Sequence, residues 1–291
     1  MPGQADIVKR FAIPVLTLLL AVCAARAASR PLNPDQAKIL ESVRASALQY
    51  TQKLPDFMCT QITHRDVSNL GNFAGNLTGI SGTGARAMGV AGEMPPTPSP
   101  GDVIEERLTF IDQRENYTVV SINGRKVSGV DPLQFQGAIS TGEFGTDLHN
   151  IFDPRSGTTF AWERSGLLHG RQVDIFSFSV PAPRGAMVVD RDTGRQVVAG
   201  YAGRAFVDAV TFQVLRIEYR LELSLDFPIR NAVTTIEYKP TAIAGRQYML
   251  PFRSEVRMQS QTRQFINTIK FRGYHKFVVQ STVLYGSRNP Q

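Results

Sequence analysis

The chain has 291 residues and is short of the residue types that build most catalytic and metal centres. It holds two cysteines, Cys23 and Cys59, four histidines and one tryptophan. The histidines, His64, His149, His169 and His275, are far apart, and no H-x-x-x-H or C-x-x-C spacing occurs, so no local metal site is encoded. No G-x-S-x-G nucleophile elbow is present. Gly82-Thr83-Gly84 lacks the Gly-Lys-Ser/Thr of a phosphate loop and the strand–helix frame around it. Asp192-Thr193-Gly194 matches the core of an aspartic protease motif. That mechanism needs two carboxylates sharing a proton, and without a second copy the stretch Asp190–Gly194 reads as a turn. Asp190 and Asp192 without further ligands do not make a calcium loop. Glu105, Glu106 and Glu143 would form an acid–base pair only if the fold brought them together; charged strand faces explain them. We therefore expect no enzyme, no catalytic residues, no cofactor and no metal.

Blocks of one charge are also missing. The formal charge is +7, spread along the chain, which favours solubility over nucleic-acid or membrane-surface binding. One long apolar run exists, Phe11 to Ala25. Lys9 and Arg10 precede it and Ala25-Arg26-Ala27 follows it, the arrangement of an export signal cleaved after Ala27. Leu20-Ala21-Val22-Cys23 is close to a lipoprotein box, with Val22 bulkier than the usual residue before the cysteine. Cleavage would remove Lys9, Arg10, Arg26 and Asp6, leaving about 264 residues, a charge of +5 and one cysteine. Cys59 then has no partner for an intramolecular disulfide and is expected to be a buried small hydrophobe. The expected location is the periplasm or the extracellular space, with no transmembrane segment after cleavage.

What the chain does have is alternation. From Val214 to Leu225, Leu215, Ile217, Tyr219, Leu221, Leu223 and Leu225 alternate with Arg216, Glu218, Arg220, Glu222 and Ser224. Period two over this length is a strand with one apolar and one charged face, as in an antiparallel sheet covered on one side. Further strands are expected at Phe57–Asp66, Ile104–Asp112, Tyr117–Ile122 (closed by the hairpin pair Asn123-Gly124), Thr158–Trp162, Val173–Val180, Met187–Val189, Gln196–Val198, Ala232–Tyr238, Tyr248–Met258 and Phe265–Phe271. Helical spacing appears in two places. Asn33-Pro34-Asp35 starts a helix whose stripe is Leu40, Val43, Ala47, Tyr50 and Leu54, and Thr146–Phe152 forms a short helix with Leu148, Ile151 and Phe152 inward.

The expected fold is mainly β with an N-terminal helix (α+β), a curved antiparallel half-barrel packed on that helix. The parts are a signal peptide (1–27), the helix and first strand (28–66), a flexible Gly/Pro-rich loop (67–101) and the half-barrel (102–291), which forms one domain with 28–66. The loop assignment rests on eight glycines and four prolines between Gly71 and Gly101.

The unit Asp208-Ala209-Val210-Thr211 followed by Val214-Leu215-Arg216-Ile217 resembles a strand, Asp-x-x-Thr turn, strand pattern. Ile236-Glu237-Tyr238, Tyr248-Met249-Leu250-Pro251 and Phe271-Arg272-Gly273-Tyr274-His275-Lys276-Phe277 are similar to its later strands. Together, over roughly the last 90 residues, they resemble secreted bacterial proteins of the outer-membrane lipoprotein carrier and lipoprotein-sorting superfamily. The resemblance implies an open half-barrel lidded by helices, with a hollow that takes lipoprotein acyl chains. This chain is longer, carries the glycine-rich insertion and has one clear helix.

One helix of about 20 residues spans ~30 Å, too little to cover a curved sheet of many strands. Either the sheet fills its own hollow, or part of that hollow takes an apolar guest. The candidate ligand-binding face is Leu215, Ile217, Tyr219, Leu221, Leu223, Ile236, Tyr238, Ile269 and Phe271, with Phe265 beside them. The candidate partners are a lipid or lipoprotein acyl chain, or another envelope protein.

Overall fold

The computed structural model describes residues 31–70, 101–130, 144–190 and 193–277. The export signal, Cys23, nearly all of the Gly/Pro-rich loop, Asp192 and Glu143 lie outside these residues.

Helix α1 spans Pro34–Lys53. Its start is a reciprocal cap: the Gln36 amide donates to Asn33 Oδ1 (2.9 Å) and the Asn33 amide to Gln36 Oε1 (3.1 Å). This satisfies two otherwise orphaned groups of the first turn. Leu40, Val43 and Ala47 are buried, as the stripe requires, and Leu54 is buried just beyond the helix end. Helix α2 spans Thr146–Phe152 and buries Leu148, Ile151 and Phe152.

Among the described residues there are twelve strands, most of them at the expected places with somewhat different bounds. They are β1 Phe57–Asn69, β2 Val103–Ile111, β3 Arg114–Ile122, β4 Arg125–Lys126, β5 Thr159–Leu168, β6 Arg171–Val180, β7 Ala186–Val189, β8 Gln196–Asp208, β9 Val214–Glu222, β10 Ile229–Ile243, β11 Arg246–Ser260 and β12 Arg263–Lys276. β4 was not expected, and β9 ends before Leu225. All pairings are antiparallel. The order is β4-β3-β2-β1-β12-β11-β10-β9-β8-β6-β5, with β7 paired to the first part of β8. Among the described strands the sheet is open, with β4 and β5 as its two edges.

Strands consecutive in sequence are neighbours from β8 to β12, but not throughout. β1 pairs with β12, so the first and last strands meet in mid-sheet. β6 pairs with β8 while β7 steps aside. Neither pairing leaves a local trace, because a strand's partner is set by long-range packing and not by its own period.

The turns show why the hairpins close where they do. Asp112-Gln113, Asn123-Gly124, His169-Gly170 and Ala244-Gly245 each have both residues at positive φ, the two-residue geometry that matches strand twist. The β8–β9 link is built differently. The Asp208 carboxylate accepts from the Val210 amide (3.1 Å), the Thr211 amide (2.8 Å) and the Thr211 hydroxyl (2.9 Å), and Arg171 lies 2.7 Å away. Burial alone would raise the pKa of Asp208. The hydrogen bonds from Thr211 and Val210, with the Arg171 charge, hold it below the ordinary carboxylate value.

The alternation of β9 stops early. The strand ends at Glu222, and Leu225 is 87% exposed. A turn closed by the Phe227 amide on the Ser224 carbonyl (3.1 Å) intervenes. It brings Phe227, not Leu225, into the interior.

Candidate functional site

The nine predicted face residues are not one surface. Leu215, Ile217, Ile236 and Tyr238 belong to a cluster under α1 and α2 that includes Val43, Ile151, Phe176 and Val207. Ile269 and Phe271 belong to a second cluster with Phe57, Leu108, Phe144 and Leu250. Leu221 and Leu223 are half-buried and lean on a third group, Val188, Ala199, Phe227, Ile229 and Ala232. Tyr219 is half-buried beside Tyr201 (ring centroids 5.0 Å apart) and donates its hydroxyl to Asp147 Oδ2 at 3.2 Å. Ile217 and Ile236 are fully buried. Tyr50 packs against both the first and the second cluster, and meets Tyr238 edge to face at 6.4 Å.

Where α1 ends, the cover over the sheet thins. A gap of about 200 Å³ lies between the last turns of the helix and the sheet. Ala47, Tyr50 and Leu54 wall it on the helix side, Leu148 on α2, and Val214, Tyr238 and Met249 on the sheet. Ser46, Lys53, Gln213 and Gln247 supply its polar lining. Of the nine predicted residues, Tyr238 reaches this gap. Tyr219 and Leu221 line a different and shallower depression of about 460 Å³ over β8–β9, among Glu163, Arg204, Glu218, Arg220 and Glu222. Gly203 forms part of it. A Cβ at Gly203 would lie 1.9 Å from the Glu218 carbonyl oxygen, so only glycine permits the two backbones to approach so closely there.

The structure also holds a buried polar row that the sequence reading missed. Along β1, Phe57 and Cys59 give way to Gln61, Thr63 and Arg65, all buried. Glu106 on β2 pairs with Gln61, Asn267 on β12 with Arg65, and Ser254 on β11 lies across from Ile269. Gln61 is 3% and Glu106 6% exposed. Gln61 Nε2 donates to Glu106 Oε2 at 2.7 Å. Burial pushes the Glu106 carboxyl up to about 7, with that hydrogen bond pulling the other way. Gln61 Oε1 and Ser254 Oγ are buried without a hydrogen-bond partner. The available signal was the ragged alternation of 57–66, where the inward positions turn from aromatic to amide and guanidinium.

The remaining candidate groups do not assemble. Glu105 and Glu106 are neighbours in sequence and so face opposite sides of the sheet; Glu105 accepts from the Ser121 hydroxyl at 3.2 Å. His64, His169 and His275 are exposed and His149 is half-buried. His149 lies 3.8 Å from Asp153, and His169 3.6 Å from Glu237. Among the described residues no group of three or more His, Cys, Asp or Glu could hold a metal ion. Cys59 is buried, and burial pushes its thiol up to about 12, despite a hydrogen bond with Tyr274; at neutral pH it is no nucleophile. At Thr193 the turn reading is realised: its amide (3.1 Å) and hydroxyl both donate to the Asp190 carboxylate. Among the described residues no helix is long and apolar enough to cross a membrane.

No protein-family model matches the chain, and no curated protein matches it. Solved structures similar to it, at low TM-score, include the following three. A LolA superfamily protein from Nitrosomonas europaea has a TM-score of 0.32 and 11% identity, covering 83% of this chain and 94% of its own. A DUF1329 family protein from Desulfovibrio piger has a TM-score of 0.36 and 10% identity, covering 84% and 94%. An outer membrane lipoprotein-sorting protein domain from Vibrio parahaemolyticus has a TM-score of 0.35 and 10% identity, covering 82% and 92%.

Proposed function

We propose that the protein is a non-enzymatic binding module, exported from the cytoplasm, that takes the end of an alkyl chain between α1 and the sheet. The observation that carries this reading is the gap at the end of α1, apolar on its helix and sheet walls and polar where Lys53, Gln213 and Gln247 stand. An amphiphile fits that polarity: its chain end enters, and the Lys53 ammonium meets an anionic head group. At about 200 Å³ the gap is smaller than the ~300–1,000 Å³ of ordinary ligand pockets. Deeper entry of an acyl chain requires α1 to lift from the sheet. Residues 1–27, with their basic start, apolar core and A-x-A end, support export.

A fluorescent fatty acid tests the site. The wild type takes it up, and Ser46→Trp, at the half-buried edge of the gap, weakens uptake. The expected result of native mass spectrometry on protein purified from cells is a co-purified lipid. No uptake and no lipid would end the carrier reading.

The burial of Ile217, Ile236, Ile269 and Phe271 within protein contacts favours a second reading. In it the core is self-filled, and the protein is an interaction or scaffold module that meets another envelope protein through its surface. In-cell cross-linking to one dominant protein, with no bound lipid, would support that reading in place of the first.

A further inference from the structure

The two edges of the sheet differ in length. β4 is two residues long, whereas β5 runs for ten and pairs with β6 alone among the described strands. An unpaired edge of that length is a template for another strand unless its side chains refuse one. On β5 the charged guards are adjacent and opposite in sign: Glu163 and Arg164, both exposed, at the register shift between Trp162 and Arg164. A foreign strand meets both signs. A second copy running antiparallel about the Glu163–Arg164 midpoint meets its complement, because the two-fold axis places each Glu163 opposite the partner subunit's Arg164.

The same axis sets Ala161 opposite the partner subunit's Gly166, small against small, and Phe160 opposite the partner subunit's Leu167. Leu167 is 73% exposed, a large apolar side chain with little protein around it. Glu163 also accepts from Arg204 Nε at 2.9 Å across β6, so the partner subunit's Arg164 is a second cation for a carboxylate already held in place.

We propose that β5 is a self-complementary edge through which two copies of this chain pair, antiparallel and two-fold, into one continuous sheet. This goes beyond the ligand reading and does not depend on it. The interface is a single strand pair, so the dimer is weak and reversible.

Sedimentation velocity of the purified protein tests the proposal at concentrations on the order of 100 μM, where weak interfaces assemble. The wild type shows a concentration-dependent monomer–dimer equilibrium. Arg164→Glu sets like charges opposite each other twice and weakens the dimer by about tenfold or more. Leu167→Asp weakens it without touching the charges. The triple variant Glu163→Arg, Arg164→Glu and Arg204→Glu restores pairing, because the complement and the contact with residue 204 are both re-formed with signs exchanged. Circular dichroism checks that each variant keeps the β signal. A wild type that stays monomeric, or a dimer indifferent to Arg164→Glu, would overturn the proposal, as would failure of the triple variant to recover.

Discussion

The interior face of the sheet has two halves built on different terms. Under α1 and α2, strands β6, β8, β9 and β10 present Phe176, Val207, Ile217 and Ile236, all deeply buried and apolar. On β1, β2, β11 and β12 the interior starts apolar, with Phe57, Phe110 and Phe271, then turns to Gln61, Glu106, Arg65, Asn267 and Ser254. The first half is held by close packing, whose strength is proportional to area. The second depends on hydrogen bonds, whose net contribution is small when made and whose absence is costly. Its loose ends, Gln61 Oε1 and Ser254 Oγ, are where the difference should show.

The largest contrast is expected from truncation in the apolar half. Ile236→Ala removes a fully buried side chain and should cost roughly 2–5 kcal/mol in urea unfolding. A loss below about 1 kcal/mol would mean that this half is loosely packed.

Acidity sharpens the contrast next. Glu106 titrates at about 7 in the folded chain against ~4.3 unfolded. Between those values the folded state holds more protons. Stability from this group is therefore full below about pH 4.5, falls as pH rises towards 7, and levels off above, a change on the order of 3 kcal/mol. Glu106→Gln should flatten that slope in denaturant titrations across pH. Asp208 behaves oppositely: its depressed pKa gives stability above its unfolded value of ~3.9 that is lost as pH falls through that value and below it.

Tyr50 tests the seam between the halves. Its hydroxyl is buried without a hydrogen-bond partner, and burial, with the nearby Glu115 charge, raises its pKa well above the ordinary value. Tyr50→Phe keeps the ring against Tyr238 and removes the unpaired group, so unfolding should show no loss and a gain of up to about 1 kcal/mol. The smallest effect is expected at Ser254→Ala in the polar half, within about 0.5 kcal/mol of wild type. A loss above about 1 kcal/mol would show that the Ser254 hydroxyl has a partner in solution, such as an ordered water.

Much of the local structure was legible in the residues. The Asn33 cap, the stripe of α1 and the whole of α2 could be read because each depends on neighbours within a few positions, and the Asp208–Thr211 turn entered through the resemblance. Boundaries were less legible. Period two continued through Leu225 in sequence, but the turn at Ser224–Phe227 ended the strand first, since a backbone hydrogen bond and one buried Phe outweigh one exposed Leu. The candidate site was legible only as a set of apolar positions. Leu215, Ile217, Ile236 and Tyr238 do share a cluster, while Ile269 and Phe271 sit with Phe57, and Leu223 sits with Phe227.

Alternation and spacing by themselves determined that this chain makes amphipathic strands and one long amphipathic helix, because side-chain direction follows the local backbone period. Tertiary structure alone decided that β1 lies against β12, that the apolar positions divide among three clusters, and that a row of polar residues is buried beside them. Those outcomes depend on which faces meet across hundreds of residues, and a strand's period is the same whatever it comes to lie beside.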